Sequence, residues 1–237
     1  MRRAYIGPGL DLRQSFILAR TWAGLQETVT LMAPSTGAVE ASPWLERAGL
    51  PIGLTGHRRS RFRGRPAGIV IAWCLGLEDL LDLDCSSSAD EAMPARSLES
   101  ADAVSGVVVV RATGRLAPWA TARHARHLGG EPLSPTPEAS AAEKAAVAQL
   151  TGMAVLDHGL TDSRERAAAV QALAFLRDNG VLLSPEALCV EALRNGWPRR
   201  AGIDLAEIAR GLNAGTRMRH DSRLSMAAMR TWFATDA

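Results

Sequence analysis

Lysine is almost missing from this chain of 237 residues. Lys144 is its one lysine, and arginine makes up the rest of its 27 basic residues. This imbalance is typical of bacterial genomes rich in G and C, which favour arginine codons, so the abundance of arginine indicates no function by itself. Only clusters of arginine can indicate a surface for phosphate or carboxylate groups, which the planar guanidinium binds through two parallel hydrogen bonds.

Cysteine is also scarce. Cys74, Cys85 and Cys189 are odd in number, and no two of them have the spacing of a metal knuckle. This usage fits a reducing compartment. Cys74 and Cys189 lie in apolar runs, so we predict that both are buried thiols.

Long apolar runs are missing too. No stretch reaches the roughly 18 apolar residues that a bilayer span requires, and Met1-Arg2-Arg3 is followed by Gly7-Pro8-Gly9, not by the apolar core of a signal peptide. We therefore expect a cytoplasmic protein with no membrane partner. Hydrophobic residues make up 47% of the chain and charged residues 22%, so it can bury a core and is not disordered.

Short apolar runs in the first half of the chain predict β-strands. The strongest are Gly68–Cys74 and Gly106–Arg111, which are apolar at nearly every position. Such strands must be covered on both faces, as the inner strands of a parallel sheet are. Helical patterns between the strands, such as residues 12–25 with Asp11 as the N-cap, indicate βαβ crossovers. We therefore predict a small α/β domain over residues 1–131, with a mostly parallel sheet and flanking helices.

Two further segments of this half are predicted to lack strands. Residues 119–128 have a helical pattern. Residues 85–102 have the composition of a surface loop or a short exposed helix.

Three prolines mark the end of the α/β domain. Pro132, Pro135 and Pro137 predict an extended, semi-rigid linker over residues 132–137. Beyond the linker, alanine-rich helical patterns predict an all-helical domain over residues 138–237. Trp197 and Trp232 are expected in the core of that domain.

A glycine-containing turn follows the first apolar run. Gly7-Pro8-Gly9 lies between a predicted strand and a predicted helix, where backbone amides can bind phosphate. A P-loop has a glycine and a lysine immediately before its Ser or Thr, but Arg13 and Gln14 stand before Ser15 here. Gly7, Gly9, Arg13 and Ser15 are therefore candidate nucleotide-binding residues of a degenerate P-loop. The alternative is an ordinary strand-turn-helix connection.

The most distinctive segment is an arginine-rich loop. Residues 57–65 contain five arginines, a histidine and a phenylalanine, with no acidic residue. Such a segment attracts phosphates through counterion release and stacking. It favours a nucleic-acid partner, and an acidic protein partner or a solvated loop without a partner remain as alternatives. The candidate binding residues are Arg58, Arg59, Arg61, Phe62, Arg63 and Arg65.

A second arginine cluster lies near the C-terminus. Residues 203–213 resemble the first helix of a helix-turn-helix, with residues 216–225 in the position of the recognition segment. The arginines expected to face phosphates are Arg217, Arg219, Arg223 and Arg230. An ordinary helical bundle would show the same small and apolar pattern.

Four acidic residues follow the strand predicted at residues 68–74. Glu78, Asp79, Asp82 and Asp84 are interpreted as the solvated face of a helix. A Mg²⁺ site at the carboxyl end of the strand is the alternative.

Clustered arginine in two places, without a complete catalytic constellation, favours a non-enzymatic nucleic-acid-associated or adaptor protein. The alternatives are a nucleotide-binding enzyme, which a degenerate P-loop would serve, and a structural subunit of a larger assembly. The sequence identifies no cofactor and no oligomeric state.

Overall fold

The computed structural model describes residues 1–24, 27–55, 67–92, 104–152, 160, 163–197 and 200–236. The chain divides into two compact units, residues 1–134 and residues 135–237. The first is an α/β unit with a parallel sheet, and the second consists mostly of helices. At this level the predicted fold class is confirmed.

Within the described residues, six parallel strands form the sheet of the N-terminal unit. They are β1 (Arg2–Ile6), β2 (Val29–Ala33), β3 (Ile52–Leu54), β4 (Gly68–Trp73), β5 (Val104–Val110) and β6 (Arg126–Gly129). Their order across the sheet is β3-β2-β4-β5-β1-β6, and every neighbouring pair is parallel. All residues of β2 and the last five of both β4 and β5 are buried, as expected for strands that are covered on both faces.

The helices that the structure describes in this unit are α1 (Leu12–Ala23), α2 (Thr36–Glu40), α3 (Trp44–Arg47), α4 (Leu77–Ala92) and α5 (Ala117–Ala122), with a 3₁₀ turn at Gly114–Leu116. The core on one face of the sheet combines apolar strand residues with Ala19 and Ala23 of α1. Phe16, Trp44 and Trp73 pack edge to face beside this core, with ring centroids 5.3–6.4 Å apart.

One local prediction in this unit was wrong. The helix expected over residues 119–128 ends at Ala122, and residues 126–129 form the edge strand β6. His124 reverses the chain between them with a left-handed φ of 50°. Over residues 85–102 the sequence predicted a surface loop or a short exposed helix, and residues 85–92 belong to the helix α4.

Asp84 of α4 ties three elements of this unit together. Its carboxylate is buried and accepts hydrogen bonds from Arg3 Nε at 2.8 Å and Arg123 Nε at 2.7 Å. Arg3 lies on β1, and Arg123 directly follows α5. One carboxylate therefore joins α4 to the first strand and to the end of α5, because an ionised acceptor makes strong hydrogen bonds with guanidinium donors.

The C-terminal unit contains α6 (Ala141–Thr151), α7 (Ser163–Asp178), α8 (Pro185–Arg194), α9 (Ala201–Asn213), α10 (Met226–Arg230) and a final 3₁₀ segment at Thr231–Asp236. Trp197 and Trp232 are buried in its core, as predicted. Their indole N–H groups donate to Thr151 Oγ1 at 2.6 Å and to Gln149 Oε1 at 2.8 Å. Both tryptophans therefore anchor themselves to α6.

A buried carboxylate also organises the start of α6. Glu143 and Ser140 form a capping box, in which the Glu143 carboxylate accepts from Ser140 N and the Ser140 hydroxyl accepts from Glu143 N. The second carboxylate oxygen accepts from Ser184 N at 2.8 Å, at the beginning of α8. Glu143 thereby fixes the beginnings of two helices at once.

Among the described helices of both units, none is long and apolar enough to span a membrane.

Candidate functional site

The order of the strands marks one place where the sheet of the N-terminal unit is suited to bind a ligand. From β2 the chain passes outward to β3, whereas from the neighbouring β4 it passes in the opposite direction to β5. Open α/β sheets bind ligands outside the carboxyl ends of the strands where such connections diverge. The turn at Gly7–Ser15 lies at the same edge of the sheet, directly after β1, but two strands away from β4.

The turn at Gly7–Ser15, after β1, is filled by groups of the protein itself. Gly7 N donates to Gly129 O at 3.0 Å, and Glu131 N donates to Pro8 O at 2.7 Å. The side chain of Glu131 lies over Gly9, where an added Cβ would be 3.5 Å from Glu131 Cγ. Two short backbone segments are thus hydrogen-bonded across the space that a phosphate would enter.

The start of α1 is occupied as well. Asp11 is its N-cap, as predicted, and accepts a hydrogen bond from Gln14 N at 2.8 Å. Ser15 is fully buried, and its hydroxyl donates to Asp11 O at 2.9 Å. Arg13 is exposed. A carboxylate, Asp11, therefore occupies the end of the helix that a phosphate would use, so the geometry disfavours phosphate binding by Gly7, Gly9, Arg13 and Ser15.

Two non-glycine residues with left-handed backbone lie side by side at the same edge of the sheet. Trp73 of β4 pairs with Val110 of β5, and the next residues, Cys74 and Arg111, have φ values of 54° and 58°. Left-handed backbone costs about 1 to 2 kcal/mol in a residue other than glycine, and such residues concentrate at functional sites. This pair was not expected from the sequence.

The chemistry of Cys74 does not suit a nucleophile. The prediction that Cys74 is buried was wrong, since it lies exposed just beyond the end of β4. Partial desolvation raises the pKa of its thiol, and the positive charge of Arg111 only opposes this rise. The thiol is therefore protonated near neutral pH, whereas a reactive cysteine needs a lowered pKa. The prediction for Cys189 is confirmed, since its side chain is buried. This burial raises its pKa to about 12.

Among the acidic residues after β4, Asp84 is held by protein groups. Asp84 is buried between Arg3 and Arg123, so it does not belong to a solvated helix face as predicted. In the part of the chain that the structure describes, no three His, Cys, Asp or Glu side chains group as ligands for a metal ion.

The arginine-rich loop at residues 57–65 lies outside the described residues. This applies to Arg58, Arg59, Arg61, Phe62, Arg63 and Arg65. The second predicted cluster is described in full. We call residues 217–230 of the C-terminal unit the basic segment, and all four of its arginines are exposed.

The helix-turn-helix interpretation of this region was wrong. Helix α9 covers residues 201–213, but residues 216–225 form no helix, and the next helix begins at Met226. The segment in the position of a recognition helix is therefore irregular, with neither helix nor β-strand. The basic segment presents its arginines from this irregular backbone and from α10.

A buried glutamine fixes the backbone of the basic segment. Gln171 of α7 accepts from Arg223 N at 2.7 Å and from Leu224 N at 2.8 Å, and its amide nitrogen donates to Leu224 O at 3.1 Å. Leu224 is itself buried in the helical core. Irregular backbone held in this way presents side chains in a defined arrangement. The one sign of Gln171 in the sequence is that it stands alone as a polar residue in the apolar run from Ala167 to Phe175.

Charges are unevenly paired along the basic segment. Arg223 forms an exposed ion pair with Asp221 at 3.1 Å. Within the described residues, Arg217, Arg219 and Arg230 form no ion pair and no hydrogen bond through their side chains. An open groove of about 530 Å³ runs between this segment and the start of α7, lined by Ser163, Ala167, Met218, Arg219, His220 and Asp221.

Comparison with known proteins adds one finding. Residues 141–233, which run from α6 into the final 3₁₀ segment, match the model of a family described as a domain of unknown function (DUF1889). No curated protein and no solved structure matches the chain. The matched residues, less than half of the chain, include the basic segment and Gln171.

Proposed function

We propose that this protein is a non-enzymatic nucleic-acid-associated or adaptor protein whose C-terminal unit binds phosphate groups through the basic segment. The observation that carries the proposal is the arrangement of exposed arginines on backbone that Gln171 holds in place. Arginine suits this role because its planar guanidinium binds phosphate through paired hydrogen bonds and keeps its charge throughout the physiological pH range.

The unpaired arginines matter most in this proposal. An arginine already paired with a carboxylate must give up that partner to bind a phosphate, whereas Arg217, Arg219 and Arg230 have no such partner among the described residues. Each phosphate contact releases counterions from the nucleic acid, so binding is expected to weaken steeply with salt. The arginine-rich loop at residues 57–65 would add further contacts from the N-terminal unit.

The proposal predicts a specific loss of affinity when the unpaired arginines are removed. In the triple variant Arg217→Ala, Arg219→Ala, Arg230→Ala, we expect the full chain to bind a labelled oligonucleotide at least about tenfold more weakly. The slope of log affinity against log salt should fall by about 2 to 3, since each phosphate contact contributes about 0.9. Fluorescence anisotropy across a salt series measures both quantities for single-stranded and duplex probes.

The matched control removes three arginines of the same unit that already have partners, of which Arg194 and Arg210 are exposed and Arg177 is partly buried. Arg177, Arg194 and Arg210 pair with Asp178, Glu191 and Glu186, and their triple replacement by alanine should leave the salt slope nearly unchanged. Affinity that ignores salt, or equal losses in the two triple variants, would count decisively against the basic segment.

The competing proposal is a degenerate nucleotide-binding protein, since the turn at Gly7–Ser15 follows β1 at the ligand-binding edge of the sheet. We expect no binding there, because Asp11 and Glu131 bring carboxylates to the place of the phosphates. A thermal-shift series with ATP, GTP and Mg²⁺ tests this expectation, since a ligand at one hundred times its Kd adds about 2.7 kcal/mol of stability. A dose-dependent rise in Tm that Gly9→Asp abolishes would favour the nucleotide proposal instead.

A further inference from the structure

We infer that the N-terminal unit carries a docking groove for an acidic peptide segment with apolar anchor residues. The groove has a volume of about 670 Å³ and lies where β1 and β6 begin, beside the C-terminal half of α1. It shares no residue with the basic segment, so substitutions can test the two surfaces separately. If the protein is an adaptor, this groove gives the chemistry of its protein partner.

The floor of the groove is apolar. Leu18, Trp22 and Leu128 line it, and all three are partly buried side chains packed against the core of the unit. Partly exposed apolar groups inside a concave surface gain free energy when a partner covers them. They therefore favour an occupant with aliphatic or aromatic side chains.

The rim of the groove is basic. Arg2, Arg3 and Arg126 surround the floor. Arg2 pairs with the exposed Glu27 at 2.6 Å, and Arg3 shares the buried Asp84 with Arg123. Arg126 is exposed and makes no ion pair or hydrogen bond through its side chain within the described residues. The guanidinium groups around the groove thus outnumber the carboxylates, which favours an acidic occupant.

The groove runs beside an open edge of the sheet. In the described structure β6 is the last strand on its side and pairs only with β1. An exposed strand edge offers main-chain hydrogen bonds to an extended peptide, whose alternate side chains can then enter neighbouring pockets. Arg126 and Leu128 both line the groove, so side chains at every second position of a paired peptide would enter it, acidic ones near Arg126 and apolar ones near Leu128.

A nucleic acid fits this groove less well than a peptide. Base stacking needs an open aromatic face, but the guanidinium of Arg2 lies 5.1 Å from the centroid of the Trp22 ring and covers it. The remaining floor is aliphatic. An acidic peptide meets both the charged rim and the apolar floor.

The probe is a fluorescein-labelled decapeptide that repeats Glu-Ser-Leu-Ser, so that glutamate and leucine alternate along one face of the extended peptide. Its binding to the full-length chain is measured by anisotropy. We expect binding that falls at least about tenfold in Arg126→Glu and also in a peptide whose leucines are replaced by serine. Arg115→Glu is the matched control, because Arg115 is an exposed arginine of the same unit that does not line the groove. It should leave binding within about twofold of the wild-type value.

Further arms separate this groove from the basic segment. The triple variant Arg217→Ala, Arg219→Ala, Arg230→Ala should bind the peptide as the wild type does. Circular dichroism checks that Arg126→Glu remains folded, and the milder Arg126→Gln should show an intermediate affinity. The inference fails if the wild type ignores the peptide at low salt or if Arg115→Glu weakens binding equally. It also fails if an oligonucleotide binds in the groove, which a loss of oligonucleotide affinity in Arg126→Glu would show.

Discussion

Replacing Gly7 by alanine is expected to destabilise the N-terminal unit by about 3 to 5 kcal/mol, since overpacking costs about 1 to 3 kcal/mol and each lost hydrogen bond about 1 more. A Cβ on Gly7 would lie 1.7 Å from the carbonyl oxygen of Glu131, which is backbone and cannot rotate away. The segment after β6 would have to move. Both hydrogen bonds that join it to the turn, from Gly7 N and from Glu131 N, would then be lost.

Gly37→Ala is the matched control for this substitution. Gly37 lies inside α2, and the nearest atom to an added Cβ is 3.9 Å away. The change should be neutral or stabilising by up to about 1 kcal/mol, because alanine has less freedom in the unfolded chain. Urea unfolding measures the change in the free energy of unfolding of each variant. Amide hydrogen exchange in β1 and β5 then shows that the change lies in the N-terminal unit. A Gly7→Ala protein as stable as the wild type would contradict the close packing of these two segments.

Asp84→Ala should destabilise the same unit by about 3 kcal/mol or more, because removing one partner of a buried ion pair leaves the other charge without compensation. The Asp84 side chain is 1% exposed, and its two arginine partners are each about one fifth exposed. Two guanidinium groups would lose their shared acceptor. Hydrogen exchange should show the loss in β1, α4 and α5 together, since the carboxylate joins these three elements.

The neighbouring arginine on β1 supplies the comparison. Arg2 pairs with Glu27 at 2.6 Å, but both side chains are about half exposed. Glu27→Ala should therefore cost less than about 1 kcal/mol, because water screens the pair and replaces the lost contact. The two variants differ mainly in the burial of the carboxylate. Equal losses of stability would show that Asp84 makes no special contribution.

The sequence predicted those parts of the fold that depend on local pattern. The continuous apolar runs of β4 and β5 indicated a sheet covered on both faces, and Asp11 indicated the start of α1. The edge strand β6 escaped prediction because only one of its long sides is paired, and its residues Arg126 and His127 are exposed. Its pairing with β1 arises from contacts between residues more than 100 positions apart, which local patterns do not encode.

Less of the candidate sites could be predicted. The exposed arginines of the basic segment were visible as a cluster, but the support from Gln171 was not, because a lone glutamine carries no spacing signal. Asp84 was misread as a solvated residue, since its partners Arg3 and Arg123 come from distant parts of the chain. The groove on the N-terminal unit was missed for the same reason, because Arg2 and Arg126 of its rim lie on neighbouring strands but are far apart in the sequence.

The position of β1 in the sheet has a consequence for how the protein is made. Both neighbours of β1 come late in the chain, since Arg2 pairs with Gly106 and Ala4 pairs with Arg126. At about 5 to 20 residues per second, a ribosome needs roughly 5 to 20 seconds to deliver β5 after β1. During that interval the first strand, whose last three residues are buried in the folded unit, has no partner on either side. A nascent chain stalled after β4 would thus expose an unpaired strand, so it should depend on chaperones that bind such segments.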